Sequence, residues 1–415
     1  MNDTSTITSS SSSEGARPDP PRFFWRWGIV WLILRVMTSL CAAWVSTLRP
    51  LTSLEQSVAL WPPSAPLVQW LRRVLLAPWE RWDVVWYVRI LTEGYHFGNG
   101  TDAFHPLYAW LARPLVFVGI EPLLALSLVT FVALVTFAYV YERLAALDLS
   151  PAQVQTAVYG LFFFPLAFIF FAPYNESLFM LWAALTLWWA RQRRWWWAGA
   201  AGALAVLTRQ QGLFLMVPLA WELWASHKGQ IRSLVRAWRE WLALGLLPLG
   251  LLLWALYRVL VIGGPQLDFS SPFRLIYSLM ISPSAGQVGA AHVLTWPWKA
   301  LELALTRLRY APDADLIVNL VLGTIFLSVV ILAWPRLRTS YRLYVLVVVG
   351  VSLSYHTGMK HPYMGLPRHL FLAFPVFIGL APLLRRAWQR LLWVGTGFVS
   401  ICFLTLLFVL ESWVP

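Results

Sequence analysis

Charged residues are scarce in this chain. They make up 12% of its 415 residues against 59% hydrophobic, a balance that excludes a large solvated soluble domain. Cysteine is nearly absent too. Cys41 and Cys402 each lie inside an apolar run, so no disulfide framework can form and both read as small buried hydrophobes. The sequence also lacks a Gly-rich phosphate loop, a repeat at solenoid spacing and the roughly ten-residue alternating segments of a β-barrel. Acidic residues number 19 against 32 Lys and Arg, giving a net charge of +13 and a pI of about 10.1. The basic residues form short clusters between apolar runs rather than one face or tail. They read as topology signals, and nucleic-acid binding is not expected.

What the chain does have is membrane-length apolar sequence from end to end, with a mean hydropathy of +0.62. The fold class expected is an all-α polytopic membrane protein of about eleven transmembrane helices. Their ranges are 24–46, 122–143, 152–172, 176–190, 196–208, 211–225, 240–262, 314–334, 341–356, 368–384 and 391–411. The runs at 176–190, 196–208 and 211–225 are short for a hydrocarbon layer of about 30 Å. Broken or re-entrant pieces are expected there, sheltered by protein. Residues 1–20, rich in Ser, Thr and Pro, read as a disordered tail, which leaves 21–415 as a single transmembrane domain. The first apolar run is too long for a signal-peptide core and reads as a retained helix.

Charge orients these spans. With Arg17, Arg22 and Arg26 inside, four clusters also fall on the cytoplasmic side: Arg191–Arg194, Lys228–Arg239, Arg336–Arg342 and Arg385–Arg390. The N-terminus is then cytoplasmic, and loops 47–121 and 263–313 become long, partly helical extracytoplasmic segments. Within the first, 66–77 suits an amphipathic interface helix. In the second, Trp296 and Trp298 suit interface anchors.

Polar residues interrupting such a chain are expensive and mark sites. In Arg81-Trp82-Asp83, Asp83 opens a helix whose apolar face is expected at Trp82, Val85, Trp86 and Ile90. Asp83 and Tyr87, four residues apart, can meet. Asp83 reads either as the N-cap of that helix or as a carboxylate at a cavity mouth. His105, held extended before Pro106, could bind phosphate or hydroxyl, serve as acid or base, or simply be solvated. Pro173-Tyr174-Asn175-Glu176-Ser177 starts a helix that Asn175 or Ser177 could cap, with Glu176 favoured by the dipole or facing the same cavity as Asp83. Thr208-Arg209-Gln210-Gln211-Gly212 places an arginine between two short apolar runs. Arg209 suits a phosphate, or an ion pair with Glu176. His356, Lys360, His361, Arg368 and His369 put positive charge outside, against the topology trend, where an anionic headgroup would sit. A metal between His356 and His361 is only weakly indicated.

Taken in order, several motifs resemble the PIG-V-type mannosyltransferases of the GT-C superfamily. They are Arg81-Trp82-Asp83, Glu93-Gly94-Tyr95, Phe104-His105-Pro106-Leu107-Tyr108, Pro173 through Phe179, Thr208 through Gly212, and Pro367-Arg368-His369 through Pro375. The family usually has an aromatic in place of His105, a proline at Ala109 and Ser-Asn at Gln210-Gln211. The resemblance implies a GT-C-like bundle. It also implies inverting transfer of a sugar, mannose above all, from a polyprenyl-phosphate donor to a hydroxyl of a lipid-linked or glycan acceptor. On this reading Asp83 is the catalytic base. Arg209, Lys360 and Arg368 face the donor phosphate, and Arg81, Tyr87, His105, Tyr108, Glu176 and Gln210 line the substrate site. Membrane lipid is the other partner, and no cofactor or obligatory metal is required. The preference for Arg over Lys, with 27 Trp, suggests a GC-rich bacterial source and hence a bacterial plasma membrane. The alternative is a transporter or a flippase for lipid-linked sugars. That class should carry midplane polar residues in repeated halves, whereas here they gather on one side.

Overall fold

The computed structural model describes residues 20–47, 66–264, 267–271, 274–275, 278–279, 293–358 and 362–410. Residues 1–19 of the tail expected at 1–20, and most of the Pro/Ser/Gly-rich part of the second long loop, lie outside these residues, while Pro20 already opens the first helix. Lys360 and His361 also lie outside them.

The chain begins with helix α1 (Pro20–Ser46) and a short amphipathic α2 (Pro66–Leu75). A 3-10 turn, Ala77–Trp79, leads to α3 (Asp83–Glu93) and α4 (Leu107–Phe117). The long α5 (Pro122–Ala145) and α6 (Pro151–Phe162) follow, then a 3-10 stretch at Pro165–Phe170. Next come α7 (Glu176–Arg191), α8 (Trp195–Thr208), a 3-10 stretch at Gln210–Leu215 and α9 (Met216–Ser226). Helices α10 (Ile231–Arg236), α11 (Trp238–Leu244) and α12 (Leu246–Leu260) complete this half. The remainder holds α13 (Pro297–Tyr310), α14 (Ala314–Ala333), α15 (Thr339–Ser354), α16 (Leu366–Phe371), α17 (Val376–Leu380) and α18 (Ala387–Val409). The protein is all-α and membrane-embedded in character. Among the described residues, five helical stretches are long and apolar enough to cross a bilayer: 28–45, 122–145, 238–260, 314–336 and 387–409.

The breaks do not fall only where short runs suggested them. Residues 152–172 and 368–384, expected as continuous spans, are both interrupted. Phe164 is extended ahead of Pro165, as a residue before proline must be, and the chain continues as a 3-10 turn. Pro375 likewise separates α16 from α17. The two interruptions pack on one another through Phe164 stacked on Phe371 at 5.9 Å and Phe170 against Phe371 at 5.5 Å. Every side chain from Leu370 to Phe377, apart from Pro375, is fully buried, so the irregular backbone is sheltered by protein. A Cβ on Gly397 of α18 would stand 1.7 Å from the Phe163 carbonyl oxygen, so only glycine lets that helix close over the first break.

Helices α5, α7, α8 and α12 pack in a row, and α14 covers α16 and α17. A two-residue antiparallel bridge pairs Val293 with His356 and Leu294 with Tyr355, tying the second long loop to the end of α15. Trp296 and Trp298 stack on each other at 4.9 Å and are exposed. Two of the basic clusters make ion pairs with buried or half-buried carboxylates. Arg191 donates to Asp148 at 2.8 and 3.0 Å and to the Tyr341 hydroxyl at 2.8 Å. Arg338 grips the buried Glu222 at 2.8 and 3.1 Å, and Ser340 donates to the same carboxylate at 2.6 Å.

Candidate functional site

Asp83 is the first residue of α3, not its cap. Trp82 holds the capping position in a left-handed conformation with φ of 54°, which is strained for a bulky residue. Such strain persists where surrounding structure imposes it, as functional sites do. The buried face of α3 is Val84, Tyr87, Val88, Ile90 and Leu91, rotated from the expected Trp82, Val85, Trp86 and Ile90. Burial of Tyr87 drives that rotation, because its hydroxyl has partners inside the bundle and the indoles tolerate partial exposure.

Four charged groups from three helices and one link form a chain. Arg368 of α16 places Nη2 2.8 Å from Asp83 Oδ2 and Nε 3.2 Å from Glu176 Oε1. Arg209, in the extended link after α8, pairs with the same Glu176 oxygen through Nη1. Each arginine that sequence reasoning assigned to a phosphate therefore already faces a carboxylate. Exposure differs sharply along the chain: the Glu176 side chain is 1% accessible, whereas that of Asp83 is 27% accessible. Glu176 Oε2 is buried without a hydrogen-bond partner among the described residues.

Asn175 organises the centre. It occupies the N-cap position of α7 but makes no capping bond. Its Nδ2 donates instead to the Tyr87 hydroxyl at 2.6 Å and to the Thr208 carbonyl at 3.0 Å, while its Oδ1 accepts from Arg209 Nη1 at 2.7 Å. Burial and the neighbouring Asp83 hold the Tyr87 phenol well above its ordinary pKa, so it remains protonated. The reversal after Arg209 depends on Gly212, where a Cβ would stand 2.3 Å from the Val206 nitrogen. Gln210, half-buried, opens the 3-10 stretch that this return creates.

Other expected site residues stand one layer back. Tyr108 is fully buried, its hydroxyl donating to the Leu126 carbonyl at 3.0 Å and sharing a 2.7 Å bond with Thr130 Oγ1. Its ring supports Tyr87 edge-on at 4.8 Å. Arg81 is buried and donates to the Glu80 carbonyl at 3.1 Å. His105 is buried rather than solvated and lies 5.9 Å from the Trp254 ring. Burial and the nearby Arg258 lower its pKa to about 3, so it is a neutral imidazole. Around the same Trp254, His105 Nδ1, Tyr95 Oη and Arg258 Nε are each buried without a hydrogen-bond partner among the described residues. Unsatisfied polar groups clustered on an aromatic face suit a hydroxyl-bearing guest or ordered water. Arg258 carries little signal in the sequence, because it sits near the end of an apolar run.

No known family, curated protein or solved structure matches this chain.

Proposed function

We propose that the protein is a membrane glycosyltransferase of GT-C-like architecture, with about eleven spans and the site on the extracytoplasmic side. It moves a sugar, mannose in the first instance, from a polyprenyl-phosphate donor to a hydroxyl of a lipid-linked or glycan acceptor. The observation that carries this reading is the contrast between the two carboxylates. Glu176 is sealed between two arginines, while Asp83 keeps one oxygen free of hydrogen bonds among the described residues and is open enough to meet a substrate. The resemblance of the ordered motifs to PIG-V-type mannosyltransferases supports the same assignment.

In the reaction, the acceptor oxygen bonds to the anomeric carbon as the carbon–oxygen bond to the lipid phosphate breaks on the opposite face. The phosphate departs with the bonding electron pair, and the acceptor proton passes to Asp83. Arg368 fixes the orientation of the carboxylate through Oδ2, leaving Oδ1 to take that proton. Glu176 and Asn175 hold Arg209 and Arg368 in place, so the site requires little reorganisation as charge develops. The unpaired groups around Trp254 offer bonds to sugar hydroxyls.

The test is transfer of labelled mannose from polyprenyl-phosphate mannose to endogenous acceptors in membranes carrying wild type or Asp83→Asn. Transfer by wild type alone is expected. Equal transfer by both would overturn the role of Asp83, and no transfer by either would overturn the donor.

A further inference from the structure

Arg35 lies in the interior of α1 at 6% exposure, and both of its terminal nitrogens are buried without a hydrogen-bond partner among the described residues. No other described guanidinium has both terminal nitrogens in that state. Its one evident partner is a ring: the guanidinium carbon stands 4.0 Å from the centre of Trp79. A cation–π contact is weaker than the cost of placing arginine in an apolar span with its donors unpaired. An intramembrane arginine with no carboxylate partner among the described residues suits an anion from outside the chain.

The surroundings indicate which anion. Trp79 is pinned, its Nε1 donating to Ser39 Oγ at 2.9 Å, so the ring cannot swing away to open a route to water. Beyond Trp79 the rings continue to Phe408 at 5.8 Å and from there to Tyr174 at 5.9 Å, over which Arg368 lies at 5.0 Å. Arg35 is thus linked to the charged chain through three successive rings, Trp79, Phe408 and Tyr174. The preceding turn of α1 offers the opposite chemistry. Trp31 and Leu34 line a narrow, partly open apolar crevice with Leu134, Phe162 and Phe170. The outer face of α1, including Ile29, Leu32, Ile33 and Met37, is exposed and apolar, so it belongs to lipid. A buried cation followed by an apolar slot matches a single-chain amphiphile with an anionic head.

Charge balance points the same way. Arg209 and Arg368 are matched by Glu176 and Asp83, so a phosphate there would have to displace a carboxylate. Arg35 has no such competitor among the described residues. We propose that Arg35 is a binding residue for a lipid-borne phosphate, with the first isoprenoid units of a prenyl phosphate entering the Trp31–Leu34 crevice. The assignment rests on the prenyl-phosphate reading of the site, and it moves the phosphate contact from Arg209 and Arg368 to α1.

The test uses the full-length protein in phosphatidylcholine nanodiscs, titrated with farnesyl phosphate, farnesol, inorganic phosphate or phosphatidylglycerol. Wild type should bind farnesyl phosphate and be stabilised by it, but not by farnesol or inorganic phosphate at equal concentration. Arg35→Gln should weaken that binding about tenfold or more, and Arg35→Lys should restore part of it. Without ligand, Arg35→Gln should melt no lower than wild type, because it removes an uncompensated charge. Equal affinity in Arg35→Gln would overturn the proposal. So would an equal loss of melting temperature in ligand-free Arg35→Gln and in Glu55→Gln or Glu411→Gln, which would reveal a carboxylate partner from outside the described residues. Equal competition by phosphatidylglycerol would assign the site to bilayer phospholipid and overturn the prenyl assignment. If Arg35-dependent binding holds while no sugar is transferred from any prenyl-phosphate sugar, the catalytic reading fails and the binding site stands. Normal transfer and an unchanged donor KM in Arg35→Gln would have the reverse meaning.

Discussion

Arg368 bridges Asp83 and Glu176, with 2.8 Å to the first carboxylate and 3.2 Å to the second. One guanidinium thus couples a carboxylate that meets the outside to one that does not. Removing a buried partner strands the opposite charge, whereas removing a partly exposed one is compensated by water. The two acids should therefore fail differently when neutralised.

Asp83→Asn should lower sugar transfer by about 10²–10⁴-fold, the usual contribution of a positioned base. Its melting temperature should stay near that of wild type, since the side chain is 27% accessible. Parallel transfer assays and thermal denaturation in detergent check both halves.

Glu176→Gln should instead cost stability first. Arg209 and Arg368 would both lose their shared carboxylate, and breaking such a buried pair costs about 3–5 kcal/mol. Thermal denaturation should rank Glu176→Gln well below Asp83→Asn. The opposite ranking would mean that the enclosed chain is not what holds these elements together.

Gly212→Ala should disturb the site without touching a charged group. A Cβ 2.3 Å from the Val206 nitrogen forces the 3-10 return away from α8, and Arg209 moves with it. A lower melting temperature and weaker transfer are expected together, and Gly350→Ala, where an added Cβ meets nothing within 4 Å, should show much less of either.

His105 gives a pH signature. Its folded-state pKa of about 3 lies below the ordinary 6.5, so at low pH the unfolded chain binds a proton that the folded chain refuses. The neutral form's contribution is fully present above about 6.5 and is lost as pH falls toward about 3. His105→Gln should flatten the decline in melting temperature across that window. An unchanged slope would show that His105 is not held neutral.

Helix positions were legible because apolar length reports directly on a bilayer. The runs at 122–143, 314–334 and 391–411 reappear as α5, α14 and α18, shifted by a few residues at their ends. The breaks at Pro165 and Pro375 were also written locally, since proline cannot continue a helix ladder. Hydropathy alone runs through both breaks, because it does not fall where irregular backbone is buried in protein. Arg35 carried its own signal, an arginine within the first apolar run, but only packing shows that no described carboxylate reaches it.

The sequence by itself determined that this is a helical membrane chain, and it marked Asp83, Glu176, Arg209 and Arg368 as polar residues too costly to be incidental. Composition and run length suffice for that, because solvation energy adds up along the chain. The Arg209–Glu176 pair stood among the alternatives the sequence offered, but which alternative holds, and that Arg368 joins Asp83 to Glu176, was decided only by the tertiary structure. Pairing depends on where the breaks at Pro165 and Pro375, the return at Gly212 and the strained Trp82 aim side chains far apart in sequence. That geometry sealed Glu176, left Asp83 open and set Arg35 beside Trp79.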